Sequence, residues 1–565
     1  MREMKMKKAI SKATKFFGPA VLAMLLATTA FAAVPGITGP TFNLTATDAY
    51  LNQPDGAAVY SWGYGCSGTP TGFLPAAITN ATCNSMQVPG PTLIVHEGDT
   101  VIVNLVNNLP TAAGNTSILF PGFQVATSGG VTGLLTQEAA PGGTVTYTFK
   151  ASSPGTRAYY SGTQGDLQVE MGLYGAIIVL PATPPANCTS GLHAANVQVE
   201  KDWGESDFRL STAAYDHPGT CYDREYLFQW AEMDSRIHRQ AAAQVLAATG
   251  CTAGAPGCSL NVQTEPYHPA YFLVNGRSMP DLMDPNYAAE YPHQPYNGNP
   301  HMHLGEQTLI RTIGQGRWQH PFHEHGNHVR ILARDGNLIL SNSNINYPGY
   351  GSAPALAGIL MFNTDTTPGQ AFDGIFYFTG RGLNWDPYGH HPTTTNVPGT
   401  PLDPNASLSC TPDANGYNTG FAAADTNFVG PPNLTVLAAI NYYEWCQDHN
   451  KPLQVAPFGD VAAGGPMTLP DPNIFSNGPW YGGSPYLGPD ATLRATAPAC
   501  DTAKNAGCTN LLPSNTQANP ASERGWAFMW HSHNEREITT NNVFPGGMLM
   551  MMLVDSREFV IDESL

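Results

Sequence analysis

Val88-Pro89-Gly90-Pro91-Thr92-Leu93-Ile94-Val95-His96-Glu97-Gly98-Asp99-Thr100-Val101-Ile102-Val103-Asn104-Leu105 decides the fold class. It is two β-rich runs broken by a turn at Glu97-Gly98-Asp99. Runs of this length, rich in Val, Ile and Thr and bounded by Gly, Pro and Asp, read as strands joined by a turn. Val145–Lys150 and Gly175–Leu180 repeat the pattern. Together these predict a compact all-β sandwich, assigned to residues 33–183. The 58 glycines and 48 prolines make about a fifth of the 565 residues and suit many short strands joined by turns. Charged residues are only 12%, which disfavours a helical bundle or coiled coil. Aromatic content of 10% and apolar content of 42% disfavour a disordered chain.

Working outward, residues 184–222 read as a Pro/Asn/Gly-rich linker. A strand at Glu225–Ala231 precedes the one convincing helix, Ser235 to Ala248, which Gly250 ends. A second β unit, 223–565, runs through Ala270–Gly276, Thr308–Thr312, His328–Ala333, Gly374–Phe378, Trp526–Trp530 and Met548–Val554. Residues 381–520 interrupt it with Pro, Asn, Gly and four cysteines. A structureless loop of that length does not suit a compact domain, so this stretch is read as an inserted, disulfide-stapled subdomain.

At the amino end, Arg2, Lys5, Lys7, Lys8, Lys12 and Lys15 form a basic segment. Phe16–Leu26 is apolar, and Ala30-Phe31-Ala32 is a small-residue cleavage site. Residues 1–32 thus read as a secretory signal peptide, and the expected location is periplasmic or extracellular. No other run is long enough to span a bilayer. Cleavage removes six basic residues and Glu3, taking the net charge from −18 to −23. Such an acidic chain repels nucleic acid. The ten cysteines fit an oxidising compartment and fall into sequential pairs: Cys66/Cys83, Cys188/Cys221, Cys251/Cys258, Cys410/Cys446 and Cys500/Cys508.

The chemistry concentrates in His320-Pro321-Phe322-His323-Glu324-His325-Gly326-Asn327-His328, which holds four of the 17 histidines, and in Trp530-His531-Ser532-His533. The period of two in a strand puts His323 with His325, and His531 with His533, on one face each. Two such strands side by side offer four imidazoles to one point, a donor set that suits copper, zinc or iron. Glu324, between two of them, should face the opposite side. Glu537 is expected to pair with Arg536 or serve a loop. His301-Met302-His303 reads as a solvated turn before a strand, and Tyr159 and Tyr160 as core aromatics. Met548, Met550, Met551 and Met552 read as an apolar strand rather than soft ligands.

Several of these stretches together resemble the multicopper oxidases. Val88–Pro91 with Glu97–Val101 is similar to the opening of that family's first domain, and Gly172–Val179 to the same domain's last strand. Asp223-Arg224-Glu225-Tyr226, Tyr271–Gly276 and Gly305-Glu306 resemble the start of the last domain. His320–Gly326, His531-Ser532-His533 and Gly547-Met548 resemble its metal-binding strands. The resemblance covers more than half of the chain, in order, and its spacing is nearest to the two-domain bacterial members. It implies two cupredoxin-like Greek-key sandwiches, a homotrimer, and a copper-dependent oxidoreductase acting on a small molecule or metal ion.

The departures from the family are specific. Ser532 stands where the resemblance calls for the blue-copper cysteine, and Glu537 where it calls for that copper's second histidine. His320 fills the other histidine position, and Met548 matches the axial one. A hydroxyl does not replace a thiolate in a blue-copper site. Leu119, Pro121, Tyr160 and Gly162 occupy the first-domain positions that should carry cluster histidines. The expectation is a reduced site of His323, His325, His531 and His533 holding one copper ion, with no blue copper. Peroxide or superoxide would then be favoured over water as the product of any dioxygen reduction. The alternative is an extracellular binding, metal-carrying or structural module that kept the fold.

Overall fold

The computed structural model describes residues 33–190, 201, 204–303, 306–326, 328–347, 349–377, 483–486, 525–555 and 561–563. Among them the chain is all-β, arranged as two sandwich domains. In the first domain, β1 (Thr41–Asn52), β2 (Ala58–Cys66), β4 (Thr100–Asn107) and β5 (Thr144–Lys150) lie in one sheet in the order β2-β1-β4-β5. The facing sheet holds β3 (Leu93–His96), β6 (Gly155–Tyr160) and β7 (Tyr174–Leu180) in the order β6-β7-β3. Alternation does the sorting. In β4, Val101, Val103 and Leu105 are fully buried, while the residues between them are half-exposed. They meet Trp62, Tyr64, Tyr147 and Phe149 in one core.

The second domain opens with β8 (Arg224–Met233), a strand buried along its whole length. Asp234 then caps α1 (Ser235–Ala247), its side chain accepting from the Arg236 amide at 2.9 Å. The helix packs back on the first domain, where Ile237 and Ala241 join the core. One sheet then runs β9 (Tyr271–Val274), β8, β11 (Gln307–Gly314), β15 (Ala371–Tyr377), β13 (Val329–Arg334). The other runs β10 (His301–His303), β17 (Leu549–Asp555), β16 (Gly525–Ser532), β12 (His320–Glu324), β14 (Asn363–Thr366). Between the sheets lie Phe228, Trp230, Phe322, Trp530, Met548, Met550 and Met552. The methionines are core, as the sequence indicated.

The two domains meet through buried hydrogen bonds from Thr156 of the first to an Arg311–Asp373 ion pair of the second. The Asp373 carboxylate accepts from the Thr156 hydroxyl at 2.6 Å and the Tyr215 hydroxyl at 2.5 Å. Arg311, fully buried, donates to Glu225 at 2.9 Å and to the Thr156 hydroxyl at 3.1 Å. Charges this deep persist only where each has partners. Three disulfides form as paired in sequence: Cys66–Cys83, Cys188–Cys221 and Cys251–Cys258. Cys410, Cys446, Cys500 and Cys508, most of the 381–520 insertion and the 1–32 signal segment lie outside the described residues.

One expectation is overturned here. His301–His303 is not a solvated turn but strand β10, wholly buried and parallel to β17. Burial is tolerated because the polar groups are answered. The Tyr226 hydroxyl donates to the His301 carbonyl, and His303 Nε2 lies 2.6 Å from a Glu205 carboxylate oxygen.

Candidate metal centre

Strands β12 and β16 pair antiparallel, with His323 directly opposite His531, Phe322 opposite Ser532, and Glu324 opposite Trp530. This register sorts the side chains. Phe322, Glu324, Trp530 and Ser532 turn into the core, and His323 and His531 turn to the other face. His325 follows on the same face. The three imidazoles offer ligand nitrogens that all lie within 4.8 Å of one another. Two of them, His325 Nε2 and His531 Nε2, stand 3.2 Å apart. Two nitrogens each 2.0–2.1 Å from one tetrahedral ion are about 3.3 Å apart, so the spacing suits a shared ion.

His533 is the outlying member of the quartet. Its ring centroid is 4.8 Å from that of His323, but the residue is exposed and outside the converging trio.

The electrostatics disfavour the charged forms of His323 and His531. Burial, and then the like charges of His325, His531 and His533, push the His323 pKa down to about 3. Burial likewise lowers that of His531. His531 Nδ1 lies 2.7 Å from the Ser532 carbonyl, which fixes the proton on Nδ1 and leaves the Nε2 lone pair facing His325. Neutral imidazoles with oriented lone pairs are what a metal ion requires. Phe362, itself partly exposed, stands edge-on to His323 with centroids 5.8 Å apart and forms an apolar rim. Glu324 is no ligand. It points into the core, where burial raises its pKa well above the carboxylate range and the Thr364 hydroxyl lies 3.1 Å away.

On the inward face of the same strands, the residues at the expected blue-copper positions do come together, but as a proton-bearing cluster. His320 Nε2 is 2.8 Å from Glu232, and His320 Nδ1 is 2.9 Å from Glu537. The Ser532 hydroxyl donates to the same Glu537 oxygen at 2.5 Å. The Ser532 amide donates to the Met548 carbonyl, and the Met548 amide to the Glu537 carbonyl. A carboxylate on each ring nitrogen calls for two N–H donors, which is the imidazolium. Burial lowers the pKa of His320, but the two carboxylates outweigh it and hold it up to about 9. Neither ring nitrogen is left to face a metal. Glu537 therefore pairs with His320, not with Arg536 as the sequence suggested, because its side chain is drawn inward to a buried cation.

Glu232 went unnoticed in the sequence. Its signal is present: it shares strand parity with Phe228 and Trp230, so a carboxylate stands on the apolar face of a buried strand. Its other oxygen accepts from the amides of Arg317 and Trp318 and from the Tyr267 hydroxyl, which also reaches Glu170 at 2.6 Å.

The first-domain positions behave differently. The Leu119 amide donates to the Tyr160 carbonyl at 2.7 Å, and Gly162 leans on the Leu119 side chain. Leu119, Tyr160 and Gly162 thus adjoin, as paired ligand positions would, but carry no imidazole. Tyr159 is core, and Tyr160 is half-buried at a cavity rim.

Residues 74–184 match the family model described as multicopper oxidase. A multicopper oxidase of Talaromyces pinophilus is 40% identical over 98 residues, 17% of this chain and 15% of that protein. A copper-containing nitrite reductase of Pseudomonas chlororaphis is 40% identical over 97 residues, 17% of this chain and 25% of that protein. A copper resistance protein A homolog of Pseudomonas syringae pv. tomato is 31% identical over 156 residues, 27% of this chain and 25% of that protein. The matches thus span no more than a quarter of these relatives' lengths. Among solved structures, the blue copper oxidase from Nitrosomonas europaea aligns over 91% of this chain and 85% of its own, with 15% identity and a TM-score of 0.40. The resemblance to the multicopper oxidase family is borne out, and the matched family segment lies in the domain that lacks the histidines.

Proposed function

We propose that this is an exported, multicopper-oxidase-like copper protein with a reduced, histidine-only centre, acting as an oxidoreductase on a small molecule or metal ion. The observation that carries the reading is the convergence of His323, His325 and His531 on one sheet face. His533 flanks the trio as a fourth, outer imidazole. Copper in such a site supplies one-electron redox chemistry. The chain's own part is to hold three imidazoles in place, to fix the His531 tautomer through the Ser532 carbonyl, and to shield one side with Phe362. Export rests on the 1–32 segment and is consistent with three disulfides. Among the described residues no helix is long and apolar enough to cross a membrane. A homotrimer, as in the two-domain family members the sequence resembles, belongs to the same reading, and sedimentation tests it.

The decisive experiment is copper content after loading and exhaustive dialysis, measured on the wild type and on His323→Ala and His531→Ala. Stoichiometric copper in the wild type and its loss in both variants is expected. Unchanged metal in the variants defeats the proposal. A wild type that retains none turns the reading to a binding module.

A further inference from the structure

We infer that the cavity between the two domains is a binding site for a small uncharged molecule with an apolar body and one O–H or N–H group. The cavity measures about 300 Å³, within the range of small-molecule sites (about 300–1,000 Å³). Leu119, Leu135 and Val169 of the first domain line it, together with Pro368 of the second. No Asp, Glu, Lys, Arg or His is among the lining residues. An ion entering would lose its hydration with nothing to answer its charge, so the wall selects neutral molecules.

Two polar side chains on the wall have capacity left. Among the described residues the Tyr160 hydroxyl makes no hydrogen bond, and burial raises its pKa, so it remains a phenol and a donor. The Gln315 amide nitrogen donates to the Gly175 carbonyl at 3.0 Å and to Gln229 at 3.2 Å. Both N–H groups are then in use, and its carbonyl oxygen is an acceptor without a donor among the described residues. Ser161 adds little, because its hydroxyl is turned to Gln168 at 2.6 Å. A hydroxyl or amine on an apolar ligand would accept from Tyr160 and donate to Gln315, answering both.

The chain keeps this space open. Gly369, at φ +80°, lies where a Cβ would come within 3.3 Å of the Tyr160 oxygen. Gly316, at φ +67°, separates the cavity from Glu232, whose carboxylate a Cβ there would meet at 2.4 Å. Leu119, Tyr160 and Gly162 stand where the family resemblance calls for ligand histidines, so the same positions now bound a neutral pocket. The inference does not depend on the metal centre.

The test uses the full-length protein, disulfides intact and metal removed by chelation, at neutral pH. The probes are 2-naphthol and 2-naphthoate, which share a ring system and differ in charge. Equilibrium dialysis should show saturable one-site binding of 2-naphthol and at least tenfold weaker binding of 2-naphthoate. Tyr160→Phe, which keeps the ring, should weaken 2-naphthol about three- to tenfold, the loss of one hydrogen bond. Leu119→Trp should fill the space and abolish binding. Far-ultraviolet circular dichroism and melting temperature confirm that each variant is folded. No saturable 2-naphthol binding, equal binding of the two probes, or wild-type affinity in a folded variant overturns the inference.

Discussion

Raising the pH from 6 to 9.5 should remove about 3 kcal/mol of stability through His320 alone. The residue is fully buried between Glu232 and Glu537, and its pKa is raised from 6.5 to about 9. One pKa unit is about 1.4 kcal/mol, so the difference between the folded and unfolded values corresponds to about 3 kcal/mol. The sign follows from which state holds the proton. Native His320 keeps its proton at pH values where the unfolded chain's histidine has lost it. Its contribution is whole below about 6.5 and is lost as pH rises through about 9. The carboxylates of Glu232 and Glu537 face the ring, and Tyr267 and Glu170 lie beyond Glu232. Working below pH 9.5 stays short of the range, around 10, in which unfolded tyrosines ionise. The assay is urea unfolding followed by tryptophan fluorescence, at half-unit pH steps. His320→Gln should flatten the slope and cost about 3–5 kcal/mol at pH 6, since two buried carboxylates lose their cation. A wild type with constant stability from pH 7 to 9.5, or a His320→Gln variant with the wild-type slope, would refute the reasoning.

Copper-loaded protein should show only weak visible absorption, because Ser532 provides no thiolate and His320 has both nitrogens engaged. An intense visible charge-transfer band would contradict that. Replacing His325 by Ala should weaken copper binding at least tenfold, whereas His533→Ala should weaken it less, as competition with a chelator would measure. Arg311→Met should lower the unfolding free energy by about 3–5 kcal/mol, since it leaves Glu225 and Asp373 buried without their cation. Replacing Cys188 and Cys221 by Ser opens a loop spanning 33 residues and should cost about 4 kcal/mol in the same denaturant assay.

Much of this was readable from spacing. Alternation in Thr100–Asn107 and the Glu97-Gly98-Asp99 turn announced the first sandwich, and two H-x-H pairs at strand period announced a shared face. Local patterns suffice for such features because they are set by the two-residue repeat of the backbone. The inward cluster was not readable. Glu232 lies 88 residues from His320 and Glu537 lies 217 from it, and no local pattern marks an encounter over that distance. His301–His303 looked solvent-facing for the same reason: Glu205, which answers His303, is 98 residues away.

The pairing of β12 with β16 also sets an order of events during synthesis. His325 and His531 touch in space but are 206 residues apart along the chain. A growing polypeptide that has released His323 and His325 carries only two of the three converging imidazoles. The third, along with Ser532 and Glu537, emerges only after about two hundred further residues have been made. A product stopped before His531 thus lacks one of the three converging imidazoles, and under the proposed function it should bind copper more weakly than a chain that includes this strand.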